Sequence, residues 1–201
     1  QQALMLLHLM PSLRITPNVI SCNAAISACE KGGRWQLAIA LLGVMLRGRI
    51  APDVVSCNAA IRACEKALQW QTSLALLGAM PRLTVAPDAL GLSAAVGACA
   101  GAGRWGLALL LLTSMLGLRL APDVARCSAS ISACRQGGEW RSGLHLLALM
   151  PELNVAPNIV TYSAAISCHE TGGKWHLALA LLLKAYRHYS GEFIAGSGSR
   201  P

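Results

Sequence analysis

Tryptophan stands at positions 35, 70, 105, 140 and 175, and proline at 17, 52, 87, 122 and 157. Methionine follows the same step at 10, 45, 80, 115 and 150. Three unrelated residue types in one 35-residue register make the chain a tandem array of one structural unit. Four units are complete, 19–53, 54–88, 89–123 and 124–158, and a partial fifth spans 159–189. Residues 1–18 are expected to close a preceding unit. Residues 190–201, rich in Gly and Ser, are expected to form a flexible tail.

Each unit predicts two helices. In the second unit Cys57, Ala60, Ile61 and Cys64 fall at i, i+3, i+4 and i+7, one face of a first helix. Asp53 before it is a good N-cap, and Pro52 stops the preceding helix. Gly pairs at 32–33, 137–138 and 172–173 supply a left-handed helix end. A second helix then opens near the Trp and carries Leu37, Leu41, Leu42 and Met45 in the first unit. Strand signals are missing. One helix pair cannot bury its apolar face alone, but stacked pairs can. The expected fold is therefore all-α, a right-handed α-solenoid of helix-turn-helix units. The Trp side chains are expected to be largely buried between repeats.

A solenoid core also accounts for a mean hydropathy of +0.49 without a membrane. The uncharged run 105–118 is 14 residues long, short of the roughly 17–25 of a spanning helix. The opening QQALMLLHLM lacks the basic n-region of a signal peptide and is expected to be interior to a longer chain. The eight Cys lack C-x-x-C spacing, and seven of them keep the repeat register. Cys seven apart on a helix lie about 10 Å apart, too far for a disulfide. They read as small core residues in a reducing compartment, with no metal site.

A second face of the first helix is small and polar. It comprises Ile20, Asn23, Ser27 and Lys31 in the first unit, and Val55, Asn58, Arg62 and Lys66 in the second. Leu90, Ser93, Gly97 and Gly101 follow, then Ala125, Ser128, Ser132 and Gln136, then Val160, Ser163, Ser167 and Thr171. A solvated helix face needs no function, but it is usually filled with better helix formers than Asn and Ser. One of those two recurs at the fifth place of every unit. Stacked first helices align these stripes into a groove. With 17 Lys+Arg against 9 Asp+Glu, net charge +8, the chain favours a polyanionic partner.

The unit VVSCNAAIRACEK…W…LALLGAM…VAPD resembles the pentatricopeptide repeat. The 35-residue length, the Pro-Asp or Pro-Asn ending, the apolar-apolar-Ser/Thr-x-Asn/Ser opening and Lys at the thirteenth place carry the resemblance, over residues 1 to about 189. It implies single-stranded RNA binding, one base per repeat, read by the fifth and last residues of each unit. Those are Asn23 with Asp53, Asn58 with Asp88, Ser93 with Asp123, and Ser128 with Asn158. Ser163 lacks a Pro-Asp partner. By the family's pairing the four units would read 5′-UUGA-3′. Ile20, Val55, Leu90, Ala125 and Val160 would sandwich the bases, and Lys31, Lys66 and Arg62 would contact the RNA backbone. Gly101, Gln136 and Thr171 depart from the Lys and weaken that grip. Helix capping alone explains the Asp/Asn series by residue type, but not its pairing with a polar fifth place.

The five His do not recur in register, and no phosphate loop follows a strand, so no catalytic constellation is expected. The chain reads as a non-enzyme without a cofactor or small-molecule substrate and without membrane insertion. The resemblance further implies work in RNA processing or stability in a mitochondrion or plastid. The other reading is a peptide-binding α-solenoid like the tetratricopeptide arrays.

Overall fold

The computed structural model describes residues 17–171 together with Ala180 and Leu183. Trp175, the Gly pair at 172–173, most of the segment 1–18 and the tail 190–201 lie outside the described residues. The first helices of successive units are α1 (Val19–Lys31), α3 (Val54–Lys66), α5 (Ala89–Gly101), α7 (Val124–Gln136) and α9 (Ile159–Thr171). The second helices are α2 (Trp35–Arg47), α4 (Trp70–Ala79), α6 (Trp105–Gly117) and α8 (Trp140–Leu149). No strand occurs among the described residues. The fold is an all-α solenoid.

The helix starts follow from local chemistry. Asp53 accepts a hydrogen bond from the Ser56 N–H at 2.8 Å, and the Ser56 hydroxyl accepts one from the Asp53 N–H at 2.9 Å. This reciprocal cap satisfies two otherwise orphan donors of the first turn. Asn18 and Ser21 repeat it on α1. Asp88 and Asp123 cap α5 and α7 by their side chains alone, because Gly91 and Arg126 stand where the serines were.

Helix ends are less uniform than the Gly pairs suggest. Gly33, Gly103 and Gly138 take positive φ after their first helices, yet Leu68 does the same work at φ 55°. Arg49 and Arg119 adopt it after α2 and α6. In α4 and α8 a proline follows the register methionine, at Pro81 and Pro151, and the helix stops at residue 79 or 149. A 3₁₀ turn, Met80–Leu83, replaces the last turn after α4. Proline cannot donate its missing N–H to the ladder and its ring crowds the turn before it.

First helices pack on the first helices before and after them, and each second helix packs on its own first helix and the next one. The first helices form the tighter layer and so line the inner surface of the array. Met45, Met80, Met115 and Met150 are fully buried between the layers. The apolar core is two clusters that meet on α3, where Cys57 and Ile61 belong to one and Ala59, Ala60 and Ala63 to the other. All eight cysteines are buried free thiols. Burial pushes Cys64, Cys99 and Cys127 up to about 11 and Cys134 up to about 12, so they stay protonated and inert. No described helix is long and apolar enough to cross a membrane.

The four described Trp are half-buried, less than the near-complete burial expected. Each opens a helix, and the Arg141 guanidinium of the same helix lies 5.1 Å from the Trp140 ring centre. Trp105 lies against Gly137, where a Cβ would come within 2.6 Å of its Cδ1. The Arg104 guanidinium lies 4.9 Å from the Trp70 ring centre and covers its face.

Candidate nucleic-acid interface

The second place of each unit is an exposed apolar position on the inner layer, joined in the fifth unit by Ile159 at 67%. Ile20 is 77% exposed, Val55 56%, Leu90 60% and Val160 58%. Ala125 is exposed as well. Single exposed aliphatic side chains are ordinary on a protein surface. Here four of them stand in one register, each three residues from a polar fifth-place side chain.

The fifth place meets the last place of its own unit across 30 residues of chain. Asn23 Nδ2 donates to both Asp53 carboxylate oxygens, at 3.1 and 3.0 Å. Asn58 Nδ2 does the same to Asp88, at 2.9 and 3.0 Å. The capping and pairing roles of the aspartates thus coexist in one side chain. Burial pulls the Asp53 carboxyl up, but bonds from the Ser56 N–H, the Asn23 amide and the Ser56 hydroxyl outweigh it and hold it below its usual value. The amide oxygens of Asn23 and Asn58 are buried without a hydrogen-bond partner.

The later units differ. Ser93 makes no such bond to Asp123, whose carboxylate caps Arg126 N at 2.7 Å and stands 4.0 Å from Arg126 Nε. Ser128 Oγ donates to the Val124 carbonyl at 2.9 Å and lies 2.9 Å from the Thr161 hydroxyl. The Thr161 hydroxyl also lies 3.0 Å from Asn158 Oδ1, so it stands between Ser128 and Asn158 and its one proton serves one of them at a time. Thr161 is a link the repeat register did not single out; its sequence signal was a hydroxyl at the third place facing a short fifth-place side chain.

The fifth-place side chains were expected to line one open surface, and they do so unequally. Ser163 is exposed and Asn23 and Ser93 are half-buried, but Asn58 and Ser128 are 5% exposed. The next first helix covers them, since Asn58 Oδ1 abuts Gly91 and Ser128 abuts Thr161. The fifth place is therefore a recessed seam between neighbouring first helices, below the exposed second place.

Charge lies along the same stripe. Lys31 is exposed. Lys66 Nζ donates to the Glu30 carbonyl at 3.3 Å and to Glu30 Oε1 at 3.4 Å, and Arg62 Nη2 stands 3.3 Å from Glu30 Oε2. Arg126 pairs with Glu65 two units earlier, in a contact the sequence did not suggest. Among the described residues no cluster of His, Cys, Asp and Glu is arranged to hold a metal ion.

The pentatricopeptide repeat family model matches residues 17–66, and the pentatricopeptide repeat domain model matches residues 110–170. The chain belongs to the pentatricopeptide repeat family. Its fold is similar to that of the maize pentatricopeptide repeat protein PPR10, at 22% identity and TM-score 0.71, over 94% of this chain and 27% of that one. PPR10 in complex with an 18-nt psaJ RNA element matches 96% of this chain and 31% of that one, at 20% identity and TM-score 0.64. The repeat domain of protein-only RNase P 1 of Arabidopsis thaliana, in complex with tRNA, matches at 13% identity and TM-score 0.71, over 82% and 86% of the two chains. The chain thus spans under a third of the length of PPR10. No curated protein matches the sequence.

Proposed function

We propose that this pentatricopeptide repeat array binds single-stranded RNA on its inner surface, one base per repeat. The observation that carries the reading is the row of exposed aliphatic residues at the second place, Ile20, Val55, Leu90 and Val160, each beside a polar seam. Splayed bases stack on such surfaces, and their Watson–Crick edges then reach the seam. Asn23–Asp53 and Asn58–Asp88 each place a partly exposed carboxylate at the seam, an acceptor for the N3–H of a uracil. Ser93 is shorter and leaves room for a purine. The units would read 5′-UUGA-3′, with Lys31, Lys66 and Arg62 on the phosphates. The family resemblance favours work on organellar transcripts, in a mitochondrion or plastid, without chemistry of the chain's own.

Retention of oligo-U and of an acidic peptide on the 201-residue chain, across a salt series, tests the reading. RNA retention should fall steeply between 50 and 200 mM salt as counterion release is opposed. No RNA retention at about 50 mM salt, or peptide retention in its place, overturns it.

A further inference from the structure

Position three of each unit is a capping residue: Ser21, Ser56 and Thr161 serve there, and Gly91 leaves it bare. Arg126 is the exception. Its side chain leaves the fourth unit, crosses the third and reaches Glu65 in the second, a separation of 61 residues. It crosses over Gly97, where a Cβ would overlap both Arg126 Nη1 and Glu65 Oε1. Any larger residue at 97 would block the path. Gly97 lies on the polar stripe of the third unit, one turn beyond Ser93. One turn further, about 6 Å along the helix, is Gly101, where the first two units carry Lys31 and Lys66. The guanidinium therefore stands on the stripe of the unit that lacks its own cation. It is half-buried; its Nε is itself buried, without a hydrogen-bond partner and 4.0 Å from Asp123 Oδ2.

We propose that Arg126 is the phosphate contact of the third unit, supplied by the fourth, with Glu65 holding the guanidinium in place until a phosphate takes it. The inference rests on the RNA-binding reading above. An arginine fork suits a phosphate as well as a carboxylate, so the exchange preserves its hydrogen bonds. The Arg126 side chain keeps 27% of its surface exposed, which gives the RNA backbone access to it. The third unit then has a backbone grip in spite of Gly101.

The test is a salt titration of oligoribonucleotide binding to the full 201-residue chain, using an octamer with UUGA in a U background and octa-U. Arg126→Gln should weaken both oligomers alike, on the order of three- to tenfold, and reduce the slope of log K against log salt by about 0.7. Arg126→Lys should keep the slope. Glu65→Gln should tighten binding, because the competing carboxylate is gone. If Arg126→Gln does not fold, the Glu65→Gln result decides alone. An unchanged slope in Arg126→Gln with wild-type binding intact overturns this inference and leaves RNA binding standing. Weaker binding by Glu65→Gln marks the pair as a structural brace and also overturns it. Absence of salt-dependent binding by the wild type overturns both proposals.

Discussion

Asn58 donates both of its hydrogen bonds from one amide nitrogen to the two oxygens of Asp88, the residue that also caps the next helix. A single carboxylate so fixes the end of one unit, the start of the next and the fifth-place side chain between them. Asp88→Ala should remove the cap and strand a buried amide, at about 2–4 kcal/mol. Asp88→Asn keeps a good cap and should cost about 1 kcal/mol or less. Urea unfolding of the two variants checks the difference; equal losses would mean that an amide at 88 replaces the carboxylate in neither the cap nor the pairing.

Acid should weaken the first seam. The folded Asp53 carboxyl lies below its ordinary value of 3.8, so the unfolded chain binds the proton more readily. Its contribution to stability is fully present above the ordinary value and is lost as pH falls through the lower folded value. Urea midpoints should therefore drop below about pH 4, and more gently in Asp53→Asn. A parallel fall in both proteins would assign the acid limb to other carboxylates.

The helix starts were legible because a cap is a local device: Asp or Asn after Pro, then an apolar run. The second-helix starts were legible in the Trp register. The helix ends were not, because Leu68, Arg49 and Arg119 accept a left-handed conformation that their side chains disfavour. The 35-residue register placed the fifth and last residues in one seam, but not how deeply the next helix covers Asn58 and Ser128. Nor could it show the Arg126–Glu65 pair, which skips a unit and depends on the bare backbone at Gly97.

Those strained ends cost stability that glycine would recover. Arg49 is exposed at φ 55°, and Arg119 at φ 56°. Replacing either with Gly should stabilise the fold by about 1 kcal/mol, the left-handed penalty less the entropy of Gly. Leu68→Gly should gain less, because its Cδ2 packs where a Gly101 side chain would be. Thermal unfolding of the three variants ranks them.

The contact of Trp105 with Gly137 should show as intolerance of a single methyl group. Gly137→Ala puts a Cβ within 2.6 Å of the indole and should cost about 1–3 kcal/mol. Gly106→Ala, in the first turn of α6 with nothing within 4 Å, should instead stabilise, by less than about 1 kcal/mol. Similar effects of the two in urea unfolding would mean that Trp105 moves aside freely.

One base per repeat is tested most directly at residue 93. Ser93→Asn converts the third unit from a Ser–Asp to an Asn–Asp pair, as in the first two. Competition titrations of wild type and variant against UUGA and UUUA read the result. The preference should move toward UUUA by roughly tenfold or less, about 1.4 kcal/mol. The low end is expected, because Asp123 stands 4.0 Å from Arg126 Nε and is not free for the new amide alone. An unchanged ratio between the two oligomers would contradict base reading by residue 93.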